Sequence, residues 1–327
     1  MEESRYFIRP FAGTDQEVQS RVWTRVQPEQ PVTVEEIRHY EKMFEDRRYF
    51  KHDLVAVERA AGEGVAVASI YHTPWTYDPN RYWTEVAVDP AHQCQGVGRE
   101  LFHRLEAVAR SRQAQGLWGS VRSDQPRSVR FFERAGFVER RRTWISRLDL
   151  EAVPPATTSR NRDRWAAERV EFTTLAEAGP DRPEVRERLY RLDTVTSRDV
   201  PRMAPATDLS FEQYVQLAFG GPGFLPEGIF LAQVGNEYVA ETTLLRIPSE
   251  PDSLHVGFTG TLPSFRGRGL ATELKRQAVE FARARGYRYL RTANDSTNRR
   301  IWAINEKLGF RPQWTWIQGE KELSTGR

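Results

Sequence analysis

Two stretches of this chain repeat at one fixed distance, and that restricts the fold more than any other feature. A gapless offset of 173 positions carries Pro90 onto Pro263, Gly96 onto Gly269 and Glu100–Leu101 onto Glu273–Leu274. The same offset carries Ala109–Arg110 onto Ala282–Arg283, Glu133 onto Glu306 and Gly136–Phe137 onto Gly309–Phe310. So many matches without a gap mark two copies of one supersecondary unit. A chain of 327 residues accommodates two domains of roughly 150. Between the copies, EAVPPATTSRNRDRW (Glu151 to Trp165) has two prolines, small polar residues and alternating charge, the composition of a linker. The expected organisation is a first domain over 1–150, a linker over 151–165 and a second domain over 166–327.

Within each copy the elements follow the same order. A short apolar run, LVAVE or IFLAQV, reaches a turn supplied by AAGEG or GNE and returns as VAVASIY or YVAETTLL. A third strand, WTEVAVD or HVGFTGTL, runs into a glycine-containing turn. The helix after it has Leu101, Leu105 and Val108, or Leu274, Ala278 and Phe281, at helical spacing. A strand (LWGSVRS; YRYLRTAN), a second helix ending near Gly136 or Gly309, and a last strand (TWISRLDL; QWTWIQG) complete the copy. The fold class expected is α/β (α+β): two tandem domains, each a mixed, mostly antiparallel sheet flanked by helices.

Composition narrows the partners. Lys plus Arg number 48 against 45 acidic residues, a net charge of +3, which does not require the concentrated positive charge expected of a duplex nucleic-acid binder. The single cysteine, Cys94, forms neither an internal disulfide nor a cysteine-based zinc site, and no metal is expected. No stretch approaches the ~20 apolar residues of a membrane span. The opening MEESRYFIRPF lacks an apolar signal core. The expectation is a soluble cytoplasmic protein with neither nucleic-acid nor membrane partners, monomeric or homodimeric, its two domains packed on each other.

The glycine turns carry the chemistry. Gln93, Cys94, Gln95, Gly96, Val97, Gly98 and Arg99 join strand to helix in the first copy. Arg266, Gly267, Arg268, Gly269, Leu270 and Ala271 do so in the second. Without a Cβ there, the first N–H groups of the helix can approach an anion, and the helix dipole favours one. The alternative is a turn that merely lets helix pack on sheet. No Lys-Ser/Thr pair follows as in a P-loop, and the third glycine of a dinucleotide fingerprint is missing.

Gln93-x-x-Gly96-x-Gly98 and Arg266-x-x-Gly269-x-Ala271 resemble the (Gln/Arg)-x-x-Gly-x-(Gly/Ala) signature of the GNAT N-acetyltransferase superfamily. The resemblance covers nearly the whole chain twice and implies a tandem GNAT protein that uses acetyl-CoA. It implies that the turns cradle the CoA pyrophosphate, and that Val86 and Val88, or Thr259 and Thr261, offer backbone groups to pantetheine. In NDSTNRRIWAINEKLGF it implies that Asn294, Asn298 and Asn305 accompany CoA, helix-surface amides being the other reading. Many members place a tyrosine four residues before the last glycine as acid toward the leaving thiolate; here those positions are Phe132 and Asn305. Cys94 is an idle thiol on this reading, because the family transfers its acyl group directly.

The reaction implied is transfer of acetyl from acetyl-CoA to a primary amine, without a covalent enzyme intermediate. An alkylammonium of pKa ~10.4 leaves about 1 in 2,500 neutral at pH 7, a deficit of roughly 4.6 kcal/mol, so a base must take the proton. Glu85, on the strand entering the first turn, stands where some members keep a carboxylate. Its counterpart is Phe258. For the second copy the candidates are Glu241, Asp193, Asp199 and His255, the last also readable as a strand-edge imidazole. Three functions stay open: small-molecule N-acetyltransferase, protein Lys or N-terminal acetyltransferase, and non-catalytic CoA-binding protein.

Overall fold

The computed structural model describes residues 4–154 and 161–323. The first repeat runs β1 (Tyr6–Pro10), α1 (Gln16–Val26), α2 (Val34–Glu41), β2 (Lys51–Glu58), β3 (Gly64–Tyr71), β4 (Arg81–Val88), α3 (Val97–Ser111), β5 (Gly116–Arg122), α4 (Pro126–Arg134) and β6 (Val138–Asp149). The second runs α5 (Arg162–Ala167), β7 (Val170–Thr174), α6 (Leu175–Ala178), α7 (Pro183–Thr196), α8 (Phe211–Phe219), β8 (Ile229–Val234), β9 (Glu237–Arg246), β10 (Ser253–Thr261), α9 (Leu270–Ala284), β11 (Tyr289–Asp295), α10 (Arg299–Leu308) and β12 (Arg311–Glu322). Each repeat is a mostly antiparallel sheet flanked by helices, as its pattern requires.

The compact units are not the two halves of the sequence. One holds the described residues up to Arg141 and those from Ile317 onward; the other is Arg142–Trp316. The repeats thus exchange the C-terminal parts of β6 and β12. The linker expected over 151–165 lies inside the second unit, where Leu150 and Trp165 are core residues; its positions 155–160 lie outside the described residues. Composition registers the prolines of this stretch but not the pairing of β6 with β11, which runs from Thr143↔Asp295 to Asp149↔Tyr289.

In the first unit, strands follow the order β1-β2-β3-β4-β5, then the end of β12. Neighbours from β1 to β4 are antiparallel and β4·β5 is parallel. Leu323 N donates to Gln115 O at 2.8 Å beside β5. Helix α3 buries Val97, Leu101, Leu105 and Ala109, one stripe at four-residue spacing, against Ala66, Ala68, Tyr82 and Leu117. Helix α1 covers the opposite face, with Val22 on Val55, Val57, Val67 and Ala87.

The second unit repeats this plan. Its order is β6-β11-β10-β9-β8-β7, with β10·β11 parallel. Helix α9 buries Leu270, Leu274, Ala278 and Ala282 on one face. Helices α7 and α8 put Leu189, Leu192 and Tyr214 against Leu231 on the other.

One detail of each sheet positions the sites. The β4·β5 ladder consists of Arg81↔Gly116, Tyr82↔Leu117 and Trp83↔Trp118, after which both strands continue unpaired with each other. Thr84 Oγ1, donating to Trp118 O at 3.0 Å, closes the vertex of this wedge. Strands β10 and β11 likewise pair only from Ser253↔Tyr289 to Val256↔Thr292. Beyond that vertex β10 shifts register against β9 between Val256 and Thr259, whereas β4 keeps continuous register with β3.

Candidate active sites

Both glycine turns have the geometry expected of them. Gly96 and Gly269 precede α3 and α9 in the left-handed region, at φ +86° and +79°, which costs glycine little. The polar residues that open the motifs tie each turn to its strand end. Gln93 Nε2 donates to Val88 O at 3.0 Å, and Arg266 Nε donates to Thr261 O at 3.1 Å, positions related by the repeat offset. The left-handed residue preceding these glycines is Cys94 in one turn (φ +61°) and Gly267 in the other (φ +74°). The Cys94 thiol is exposed rather than buried.

The two turns differ in what lies over them. A Cβ built on Gly96 meets nothing within 4 Å, and Arg99 has no ion-pair partner among the described residues. Gln95 is held away from the turn, accepting from Arg5 and Tyr6 at 2.7 Å each. The second turn is covered by its own chain. A Cβ on Gly269 would lie 2.3 Å from the Asn161 amide nitrogen and 3.7 Å from the Trp165 ring. Trp165 Nε1 donates to Arg268 O at 2.9 Å, Glu168 pairs with the Arg268 guanidinium at 2.8 Å, and Asp199 pairs with Arg266. The Cβ side of the last turn glycine is clear in the first unit and covered by side chains in the second.

Carboxyls stand on different strands in the two wedges. Glu85 lies on β4, just past the Trp83 vertex, and is half-buried rather than an exposed strand glutamate. Tyr71 on β3 donates its hydroxyl to Glu85 Oε1 at 2.8 Å. Burial pushes the Glu85 carboxyl above its ordinary range, against the Tyr71 bond and the nearby Lys51 ammonium, with Asp53 adding to the rise. Lys51 pairs with Asp53 at 2.7 Å and with Glu41. Register puts Trp118, Trp83, Tyr71 and Lys51 in one cross-strand row, and Glu85, Ser69 and Asp53 in the next. Trp83 and Trp118 stand 5.8 Å apart, Phe44 packs edge-on to Tyr71 at 6.2 Å, and Lys51 lies over the Phe44 ring.

In the second unit Phe258 occupies the position of Glu85, and Glu241 stands one strand away on β9, opposite Gly260. It is 2 % exposed, and its Oε1 has no hydrogen-bond partner among the described residues. Burial, then the Asp193 charge, pushes its carboxyl well above the ordinary value; burial lifts Asp193 to about 6. Asp199 stands apart from this pair, exposed beside Arg266. His255 is on an interior strand, not at an edge, and burial holds its imidazole neutral with a pKa of about 4. Asn305 donates to Asn294 Oδ1 at 2.5 Å; its own Oδ1 and Thr261 Oγ1 have no hydrogen-bond partner among the described residues. Asn298 caps α10 by accepting from Ile301 N at 3.3 Å, a structural use of its amide. The first unit has Phe132 in place of Asn305, stacked on Phe137 at 4.5 Å.

A parallel pair of strands that parts over a glycine turn, built twice, is the architecture of an acyl-CoA transferase domain in tandem. The Acetyltransferase (GNAT) family model matches residues 18–137 and 188–310, and the chain belongs to that family. Among solved structures it is similar to a tandem GNAT protein from the clavulanic acid biosynthesis pathway, at 18% identity and TM-score 0.70, covering 98% of this chain and 99% of that one. It is similar also to a GCN5-related N-acetyltransferase from Sphaerobacter thermophilus, at 18% identity and TM-score 0.69, covering 99% and 98%. These likenesses establish a shared fold. No curated protein matches the sequence significantly. Acetyl-CoA is the acyl donor of the family, and no group of three or more metal-ligating side chains occurs among the described residues.

The sequence reading reached Glu85 and both turns but missed their surroundings. Tyr71, Asp53, Lys51, Glu41 and Trp118 converge from four elements. A signal existed: KHDLV places Lys51 and Asp53 on the face that Val55 buries, an unusual place for charge. The cover on the second turn comes from a stretch that reads as linker, and only Trp165 marked it.

Proposed function

We propose that the protein is an acetyl-CoA-dependent N-acetyltransferase for the primary amine of a small molecule, and that transfer takes place in the first unit. The observation that carries this reading is Glu85: a carboxyl of raised pKa, oriented by Tyr71, next to the vertex of the wedge below an open glycine turn. The cradle at Gly96 fits the diphosphate of CoA, with Val86 and Val88 offering backbone groups along the unpaired edge of β4. Acetyl-CoA bound there supplies an activated acetyl carbonyl and a thiolate leaving group.

The chain's own groups do the rest. Glu85 accepts the proton that the amine sheds as its nitrogen bonds to the acetyl carbon and the carbon–sulfur bond breaks; that proton then passes to solvent. Tyr71 fixes the carboxylate so that its second oxygen faces the amine. A carboxyl lifted above its ordinary value is a better match for an ammonium than a normal glutamate, and such a base is worth about 10²–10⁴-fold. With Phe at 132, protonation of the thiolate falls to water. A second reading places transfer in the other unit, with Asp193 and Glu241 as base; the unpartnered Asn305 and Thr261 oxygens favour it, and the covered turn opposes it. Release of free thiol from acetyl-CoA, followed across a panel of amines and Lys peptides, tests the function. Turnover on small amines supports it; binding of CoA without turnover on any acceptor sinks it.

A further inference from the structure

The face of the first sheet that carries Glu85 has a composition that specifies more than a base. Three carboxyls, Glu41, Asp53 and Glu85, stand against one ammonium, Lys51. Lys51 occupies Asp53 Oδ2, and the other oxygen, Oδ1, is buried with no donor among the described residues. Arg122, farther along β5, is matched by Glu29 and Asp124 at 2.8 and 2.7 Å and does not offset this excess. The same face is aromatic: Trp83, Trp118, Tyr71 and Phe44. Trp118 is 1 % exposed, yet its indole N–H has no acceptor among the described residues, and neither has that of Trp83. A buried acceptor without a donor and buried donors without an acceptor, on one face at the wedge vertex, mark a place built for a polar ligand. In the second unit Phe258 stands in place of Glu85 and the carboxyls are Glu241 and Asp193, one strand and one helix away.

We propose that this face is the acceptor site, and that it selects amines whose only charge is the ammonium, borne on an aromatic or apolar body, against amines that also carry a carboxylate. This rests on the transfer reading given above and specifies its substrate class. The excess acid attracts the ammonium, the indole and phenol faces hold it by cation–π attraction before it loses its proton, and the same acid repels a carboxylate. The indole N–H groups remain for an uncharged oxygen of the ligand or of the thioester.

Phenethylamine and phenylalanine, which differ only by a carboxylate, are the probes. Calorimetry on the full chain without acetyl-CoA is expected to show phenethylamine binding at least about tenfold more tightly than phenylalanine. Asp53→Asn should narrow that ratio severalfold. Trp83→Ala, which removes one cation–π face, guards against a misfolded Asp53 variant and should weaken both probes while leaving the preference. Equal affinities, or a preference for phenylalanine, would overturn the proposal. Selective binding without acetyl transfer would instead leave the site standing and remove the transfer reading.

Discussion

At the residue scale the two copies have kept the same turn and changed what surrounds it. A β-branched side chain at Gly96 would both strain a left-handed residue and cover the first N–H groups of α3. Gly96→Val should therefore raise the Kd for acetyl-CoA by at least about tenfold and lower Tm through backbone strain alone, since no packing atom lies near that position. Gly269→Val meets the flexible Asn161 amide and a turn already covered, and should leave transfer within about threefold. Calorimetry and melting curves on both variants check this pair, and a reversed order of effects would place the donor in the second unit. The glycines were legible because the requirement is local: a positive φ between strand and helix. Glu85 was legible by position alone. Its environment was not, because Tyr71, Lys51 and Asp53 reach it across strands whose register no short motif encodes.

At the element scale, helix and last strand have traded residues between the copies. In the first unit Phe102 on α3 lies beneath the ammonium of Lys321, which pairs with Glu106 at 3.1 Å. In the second unit the equivalent positions are Lys275 on α9 and Leu148 on β6, and the equivalent of Glu106 is Val279. The buried amine is conserved in place but not its counter-ion, and burial pushes Lys275 down to about 7. Its folded pKa is depressed, so between about 7 and 10.5 the unfolded chain holds more protons, and stability rises with pH across that window. Lys275→Met should thus stabilise the protein at pH 6, by an amount on the order of 4 kcal/mol at most, with the gain shrinking toward pH 10. Denaturant melts at both pH values measure it; a Met variant less stable than wild type at pH 6 would show that the ammonium has a partner after all. The amphipathic periods of α3 and α9 were plain in the sequence. The helices α1, α2, α7 and α8, which fall outside the repeated motifs, were not.

At the scale of the whole chain, duplication fixed the two-unit organisation, and strand exchange hid the boundaries. Cutting at the linker gives 1–150 and 166–327. The first piece lacks the strand end from Ile317 that borders β5, and the second lacks residues 142–150, which pair with β11. Each piece leaves an unpaired interior strand, a known route to aggregation. Expressed alone, each should be poorly soluble, and co-expression should restore soluble material. Two well-behaved fragments with the parent's Tm would show that the exchanged strand ends contribute little.

The claim on which the account turns is that Glu85 takes the proton from the acceptor amine. Burial leaves its carboxyl above the usual range, with Asp53 adding to the rise and Tyr71 and Lys51 opposing it, so the base form is reached later in pH than for an ordinary glutamate. A pH–rate profile of acetyl-CoA thiol release with phenethylamine, run on wild type, Glu85→Gln and Glu241→Gln from pH 6 to 10, is the direct measurement. The account predicts that Glu85→Gln lowers kcat about 10²–10⁴-fold near neutral pH, with the loss shrinking as the amine approaches its own pKa, while Glu241→Gln stays near wild type. A Glu85→Gln enzyme within about twofold of wild type at pH 7, with activity lost in Glu241→Gln instead, would contradict it and move the chemistry to the second unit.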